Sequence, residues 1–505
     1  MNFLNSMASS QNTTSTQQHS SKGENRVHRA GITALALSCL ISPLGISVTA
    51  AQDQDLTHPK AMGLPAPAFE RPNPETMRLE LDNGLAAYIA VDDRAPLVTI
   101  TAYLGLGSGH GEPGAPQALA AALRRGPATM QSGAFEAKLA SMFADYKVTQ
   151  SHEETEVYLD VPASDAWDAL DLMAKILTEP AFSGTSSNSV RTASSGGIDY
   201  SYSLDGAIDL FKNELFRGHR FGRSASSQQV VTASAEALHE RFVHADNVTL
   251  AIAGDFDLKR ARREASKSFA ALPRARGGVP ENDSATAFAP LEADTSRTLL
   301  LNQADRGQGW VVIGHELPAV PLADQAALET MDYVLGAFHL DSRLHRNARE
   351  LRGLTNDNSS FLEPGIRGPG SYNFRTYGRP EAVRLLVDVT FRELELIRDS
   401  LVTADELFIA KGALVDGLYA KRYATGLDAA NTYAKEWLRL GSHEVSASYP
   451  ARVAAVSATD VQAAARKYIH PERMIVAVVG PLEKIRKAKA IESEPQLESW
   501  GAKAN

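Results

Sequence analysis

The chain has 505 residues, 44% of them hydrophobic and 22% charged, which excludes a disordered or fibrous protein and leaves room for about two to four domains. Its formal net charge of −9 is offset by no basic run, and that balance argues against nucleic acid as a partner. Cys39 is the only cysteine, so no internal disulfide can form.

The first fifty residues differ from the rest. A Ser/Thr/Gln-rich start leads to Lys22, Arg26 and Arg29, then to the apolar run Ala30 to Leu44, then to the small residues Val48-Thr49-Ala50-Ala51. Basic, apolar and small segments in that order predict a secretory signal over residues 1–51, cleaved near Ala50 or Ala51. The mature protein is then periplasmic or secreted, without stable membrane insertion, and it contains no cysteine. An uncleaved anchor is the alternative, although Pro43 and Gly45 interrupt the apolar run. A mitochondrial transit peptide is a third reading, opposed by a stretch that is apolar rather than Arg-rich and amphipathic.

Beyond the leader, Asn83-Gly84 marks a hairpin turn between two short apolar runs. A period-two run followed by a 3.6-period run occupies Glu154 to Leu177 and recurs at Tyr372 to Ile397. The segment from Phe242 through His244 and Gly254 matches that from Tyr468 through His470 and Gly480, position for position, 226 residues later. Each copy reads as a helix end, an aromatic-aliphatic-His corner, a buried strand and a turn glycine. Histidines that recur in both copies of a duplicated scaffold read as structural. Between the copies, Pro273, Gly277-Gly278, Pro280 and Pro290 lie scattered among polar residues, which reads as a linker at 273–296. The expected fold class is α+β, with two homologous domains of antiparallel-rich sheet plus helices at 66–272 and 297–490.

The opening Leu81-Asp-Asn-Gly-Leu with Arg94-Ala-Pro-Leu-Val and Gly107-Ser108 resembles the first strands of the pitrilysin/insulinase family of zinc metallopeptidases. Leu335-Gly336, Ser342-Arg343-Leu344, Arg349-Glu350-Leu-Arg352-Gly353-Leu354 and Thr403-Ala-Asp-Glu406-Leu407 resemble its second-domain signature, and the similarity spans roughly residues 75 to 490. The resemblance implies a two-domain half-clamshell that pairs with a second half to enclose a chamber. Catalytic members carry His-x-x-Glu-His on one helix, where two histidines at i and i+4 share a face and the glutamate holds the water.

Here the corresponding helix reads Pro116-Gln-Ala-Leu-Ala120-Ala-Ala-Leu123-Arg124-Arg125, so the motif positions fall on Ala120, Leu123 and Arg124, none able to bind zinc or activate water. The distal glutamate would fall at Ser195-Gly196-Gly197-Ile198. No two histidines stand four apart, and the four His-Glu dipeptides, at His152, His239, His315 and His443, have no second ligand at helical spacing. The expectation is an exported, non-catalytic subunit that needs no cofactor of its own, pairs with a zinc-bearing catalytic subunit of the same family, closes the chamber and assists peptide binding. Related enzymes use an Arg and a Tyr of the second domain toward substrate, and the resemblance points to Arg375 and Tyr377, two apart on one strand face. Ordinary solvent-face residues are the competing reading of that pair. A binding or scaffold protein of this fold with no proteolytic role is the functional alternative, and a peptidase with a rebuilt site is the third.

Overall fold

The computed structural model describes residues 69–182, 203–222, 232–275, 297–337 and 340–487. The expected signal peptide, the distal-acid segment at 195–198, most of the linker and the C-terminal tail lie outside the described residues.

The first sheet is built from β1 (Arg78–Glu80), β2 (Ala86–Val91), β3 (Leu97–Leu104), β4 (Asp145–Gln150), β5 (Thr155–Pro162) and β6 (Val248–Gly254), in the order β1-β2-β6-β3-β5-β4. The second contains β7 (Arg297–Asn302), β8 (Gly309–Leu317), β9 (Asn358–Glu363), β10 (Gly370–Gly378) and β11 (Ile475–Gly480), in the order β7-β11-β8-β10-β9. Without the short β1, the two orders superimpose strand for strand. Among the described strands each sheet has one parallel pair, β2 with β6 and β7 with β11, followed by antiparallel neighbours. The duplication read from the repeated segments is therefore a duplication of topology.

The local signals act as expected. Asn83-Gly84 turns β1 into β2: Gly84 adopts φ 87, a left-handed value that glycine reaches at little cost, while the Asn83 amide donates to the carbonyls of Phe269 and Leu272. Gly254 and Gly480 close the central strands β6 and β11 for a steric reason. A Cβ at Gly254 would stand 2.2 Å from the Leu97 carbonyl oxygen, and one at Gly480 would stand 2.9 Å from the Gly309 Cα.

The longer helices are α1 (Ala115–Arg124), α2 (Ser132–Ser141), α3 (Ala166–Thr178), α4 (Ser203–Leu215), α5 (Thr232–Phe242), α6 (Leu258–Ser268), α7 (Leu322–Leu335), α8 (Val383–Asp399), α9 (Ala404–Gly412), α10 (Gly426–Leu440), α11 (Glu444–Ala455) and α12 (Ala458–Tyr468). The period-two and 3.6-period units foreseen at 154–177 and 372–397 are β5 with α3 and β10 with α8. Among the described residues no helix is long and apolar enough to cross a membrane.

Because side chains alternate along a strand, each sheet offers two apolar faces, and each half of the chain covers only one of its own. The face of the first sheet with Ile89, Ile100, Val157, Leu159 and Ile252 packs against α1, α3 and α6. Its opposite face, with Tyr88, Ala90, Tyr103, Ala251 and Ala253, is covered by α10 from the second half. Tyr103 donates to Asn431 at 2.9 Å and the Thr249 hydroxyl donates to the Ala434 carbonyl at 2.9 Å, fixing the position of α10. The exchange is reciprocal: α4 from the first half lays Ala207, Phe211 and Leu215 on Val312, Ile475, Ala477 and Val479 of the second sheet. In the duplicated topology α4 and α10 are counterparts, one between β5 and β6, the other between β10 and β11.

Candidate functional site

The helix that carries the three positions aligned in sequence with the zinc motif is α1. Gly114 at its N-cap has φ 89, Pro116 sits in the first turn, and an Ala/Leu sequence follows with high helix propensity. The same composition drives burial, and Ala115, Pro116 and Ala118 through Leu123 are all buried. Ala120 (2% exposed) and Leu123 (0%) are packed into the core beneath the first sheet. Arg124 turns outward and donates from Nη2 to the carbonyl oxygen of Val148 at 3.0 Å.

That contact is one of three along β4. Tyr146 donates its hydroxyl to the Leu123 carbonyl at 2.7 Å, and the Gln150 amide reaches the Pro116 carbonyl at 3.2 Å. The side chains of Tyr146 and Gln150 leave one face of the strand, whereas Arg124 takes the main-chain carbonyl of Val148 at its outer edge, so α1 is fastened to β4 at three alternate positions. Burial pushes the Tyr146 phenol far above its ordinary pKa, which keeps it a hydroxyl donor.

These residues do not fit a zinc ion. Zinc needs nitrogen, sulfur or oxygen ligands converging on one point, whereas α1 offers two buried aliphatic side chains and a permanent cation. The His-Glu dipeptides are dispersed over unrelated contacts. His152 bonds Ser108 and stacks on Phe221 with ring centroids 4.7 Å apart; burial takes its pKa down to about 4. His239 bonds the Leu177 carbonyl, His315 accepts the His470 amide, and His443 lies between Tyr88 Oη (2.7 Å) and Glu436 (3.1 Å). Among the described residues no three His, Cys, Asp or Glu side chains converge.

Arg375 and Tyr377 share a face of β10, as their spacing requires, and it is the face that α4 covers. Arg375 is 9% exposed, with its guanidinium 2.7 Å from Glu363, 2.8 Å from the Asn373 side-chain oxygen and 3.8 Å above the Phe361 ring. Lys212 of α4 approaches Glu363 from above at 3.1 Å. Burial alone would raise the Glu363 carboxyl, but Lys212 and Arg375 outweigh it and hold it down to about 2. Tyr377 is partly exposed at the end of the strand.

Sequence reasoning missed the clasp between the halves. The β4–β5 turn presents Glu153, whose carboxylate accepts the backbone N–H groups of Ile366, Arg367 and Gly368 at 2.5, 2.6 and 2.8 Å. Next to it Glu154 accepts from Nε and Nη2 of Arg439 on α10, one to each carboxylate oxygen. The signal for the cradle is Pro364-Gly365-Ile-Arg-Gly368-Pro369: a Cβ on Gly365 would stand 1.9 Å from the Gly368 carbonyl oxygen, so the loop closes tightly enough to aim three successive N–H groups at one anion.

Residues 231–414 match the family described as the peptidase M16 inactive domain. No curated protein matches the sequence. Among solved structures, the peptidase M16 inactive domain from Pseudomonas fluorescens is 19% identical with a TM-score of 0.67, over 80% of this chain and 98% of that one. A protease from Helicobacter pylori is 16% identical with a TM-score of 0.67, over 80% and 99%. A chain of Complex III2 from Candida albicans is 13% identical with a TM-score of 0.63, over 81% and 96%. At such identities the structures establish a shared fold.

Proposed function

We infer that this chain is a non-catalytic member of the pitrilysin/insulinase (peptidase M16) family, serving as one subunit of an exported heterodimeric zinc peptidase. The observation that carries the reading is α1: beneath the first of two sheets with the same strand order lies a helix whose positions 120, 123 and 124 carry a buried Ala, a buried Leu and an Arg bonded to Val148. The zinc and the hydrolytic water then belong to a partner of the same fold, and this chain closes the chamber around a peptide. Within that assembly Tyr377, partly exposed, contacts the peptide, and Arg375 positions the strand that carries it. The N-terminal residues 1–51 direct the protein to the periplasm or the exterior and are removed.

The test is to produce residues 52–505 with a subunit bearing His-x-x-Glu-His encoded beside it, and to measure co-elution, zinc content and peptide hydrolysis for each chain and for the mixture. The expected result is no stoichiometric zinc and no hydrolysis from this chain alone, a stable pair burying on the order of 1,200 Å² or more, and activity only in the mixture. About one tightly held zinc per chain of this protein, with hydrolysis, would overturn the reading. A scaffold role without proteolysis is the second reading, and a partner fully active alone that never co-elutes would leave it standing.

A further inference from the structure

An unpaired sheet edge is a row of main-chain donors and acceptors onto which an extended peptide can add as another strand. At one end of the first sheet is β4, which pairs with no strand on its outer side among the described residues, and its outward groups can be assigned. Ser151 N–H donates to the Glu154 carbonyl at 2.8 Å, so residues 151 and 154 form a hydrogen-bonded pair. Antiparallel pairs alternate, which makes 149 with 156 and 147 with 158 the bonded pairs in the observed register. The N–H and C=O groups of Tyr146, Val148 and Gln150 therefore point away from β5, to the open side. Val148, midway along this row, has its carbonyl taken by Arg124.

The second sheet repeats the arrangement by other means. There the strand equivalent to β4 is β9, and the helix equivalent to α1 is α7. Immediately after α7 the Gly336 carbonyl accepts the Ser360 N–H of β9 at 2.8 Å, and Ala337 forms a parallel bridge with Ser360. A Cβ at Gly336 would stand 2.9 Å from that nitrogen. In both halves, then, the C-terminal end of the preceding helix occupies the outer edge of the corresponding strand, once through main chain and once through a single side chain.

We propose that β4 is an extended-peptide-binding edge masked by Arg124, whose guanidinium takes the place that a peptide N–H would take at Val148. With Arg124 in place this chain holds no peptide on β4. The inference deepens the heterodimer reading and rests on it for its biological sense: this chain supplies a wall of the chamber and not a strand edge that holds the peptide. The mask itself belongs to the single chain and is tested there.

Two variants remove the donor. Arg124→Ala deletes the side chain, and Arg124→Met keeps an aliphatic stem over the same surface, so that one folded variant is available if the other is not. The probe is a fluorescein-labelled, unstructured decapeptide of alternating Val and Thr, compared with the same peptide N-methylated at alternate residues so that it cannot donate to a strand edge. Fluorescence anisotropy should show at least tenfold tighter binding to R124A or R124M than to the unaltered chain, loss of the gain on N-methylation, and amide-exchange protection at Val148 and Gln150 only in the variants with peptide. Arg124→Lys, which still carries a donor, should behave like the unaltered chain. If the unaltered chain bound the probe as tightly as the variants, with the same protection, the edge is not masked. Folded variants that gain no binding would equally overturn the proposal. Neither result depends on co-elution with a partner, so failure here is separate from failure of the heterodimer.

Discussion

The carboxylate of Glu153 accepts the N–H of Gly368, 215 residues later in the chain, at 2.8 Å, and takes the two preceding N–H groups of the same loop as well. A turn of the first half is thereby held in a backbone cradle of the second, and removing the acceptor strands three donors in a largely buried place. Glu153→Ala should cost about 1–3 kcal/mol of stability, read by urea denaturation. An unchanged midpoint would mean that the loop 364–369 holds its shape without this contact.

The exchanged helices make a second, apolar prediction. Phe211 of α4 is fully buried on the second sheet beside Val312 and Ala477. Phe211→Ala leaves a cavity there and should cost about 3–5 kcal/mol. Because α4 belongs to the first half by sequence, limited proteolysis should then cut first within α4. Cleavage confined to the second half would show that α4 is held by other contacts.

The contrast between what the sequence disclosed and what it withheld has physical causes. The duplication was readable because β6 and β11 are buried on both faces and end at glycines that neighbouring strands crowd, so Gly254 and Gly480 and their apolar runs stand out. The absence of ligands at Ala120, Leu123 and Arg124 was readable because zinc chemistry demands particular side chains at fixed helical spacing. The exchange of α4 and α10 was not, since an amphipathic pattern states that a helix buries one face and not which sheet receives it. For the same reason Arg124 could be recognised as unable to bind zinc, while its bond to Val148, 24 residues away, depends on β4 being an edge. Arg375 and Tyr377 were correctly placed on one strand face, but the covering of that face by α4 arises from a distant part of the chain.

The Glu363 site gives a pH-dependent prediction. Its carboxyl is held down to about 2 in the folded chain against about 4.3 for an unperturbed glutamate. Between those values the unfolded chain binds the extra proton, so this site's contribution is complete above about pH 4.3 and is lost as the pH falls through about 2. Glu363→Gln should flatten the rise of stability with pH across that window, measured by denaturation at several pH values. An identical slope in the variant would show that Lys212 and Arg375 do not act on this carboxylate as the geometry implies.

Placing the His-x-x-Glu-His motif on α1 tests whether the surroundings of that helix could hold a metal. In the triple variant Ala120→His, Leu123→Glu and Arg124→His, the glutamate would replace a side chain with no exposure, in a core where a carboxylate without partners costs several kcal/mol and takes up a proton instead. A histidine at 120 would have to fit where an alanine is 2% exposed, displacing neighbours packed beneath the sheet. Loss of Arg124 would also release the tie to Val148 that helps fasten α1 to β4. Ligands placed on a helix without supporting contacts bind metal poorly, so the triple variant should melt well below the unaltered chain and hold less than one zinc per chain after dialysis. The single variant Arg124→His separates the effects, since it leaves the core intact and should be only mildly destabilised. Stoichiometric zinc with steady peptide hydrolysis in the triple variant would show instead that the surroundings of α1 can support a working metal site.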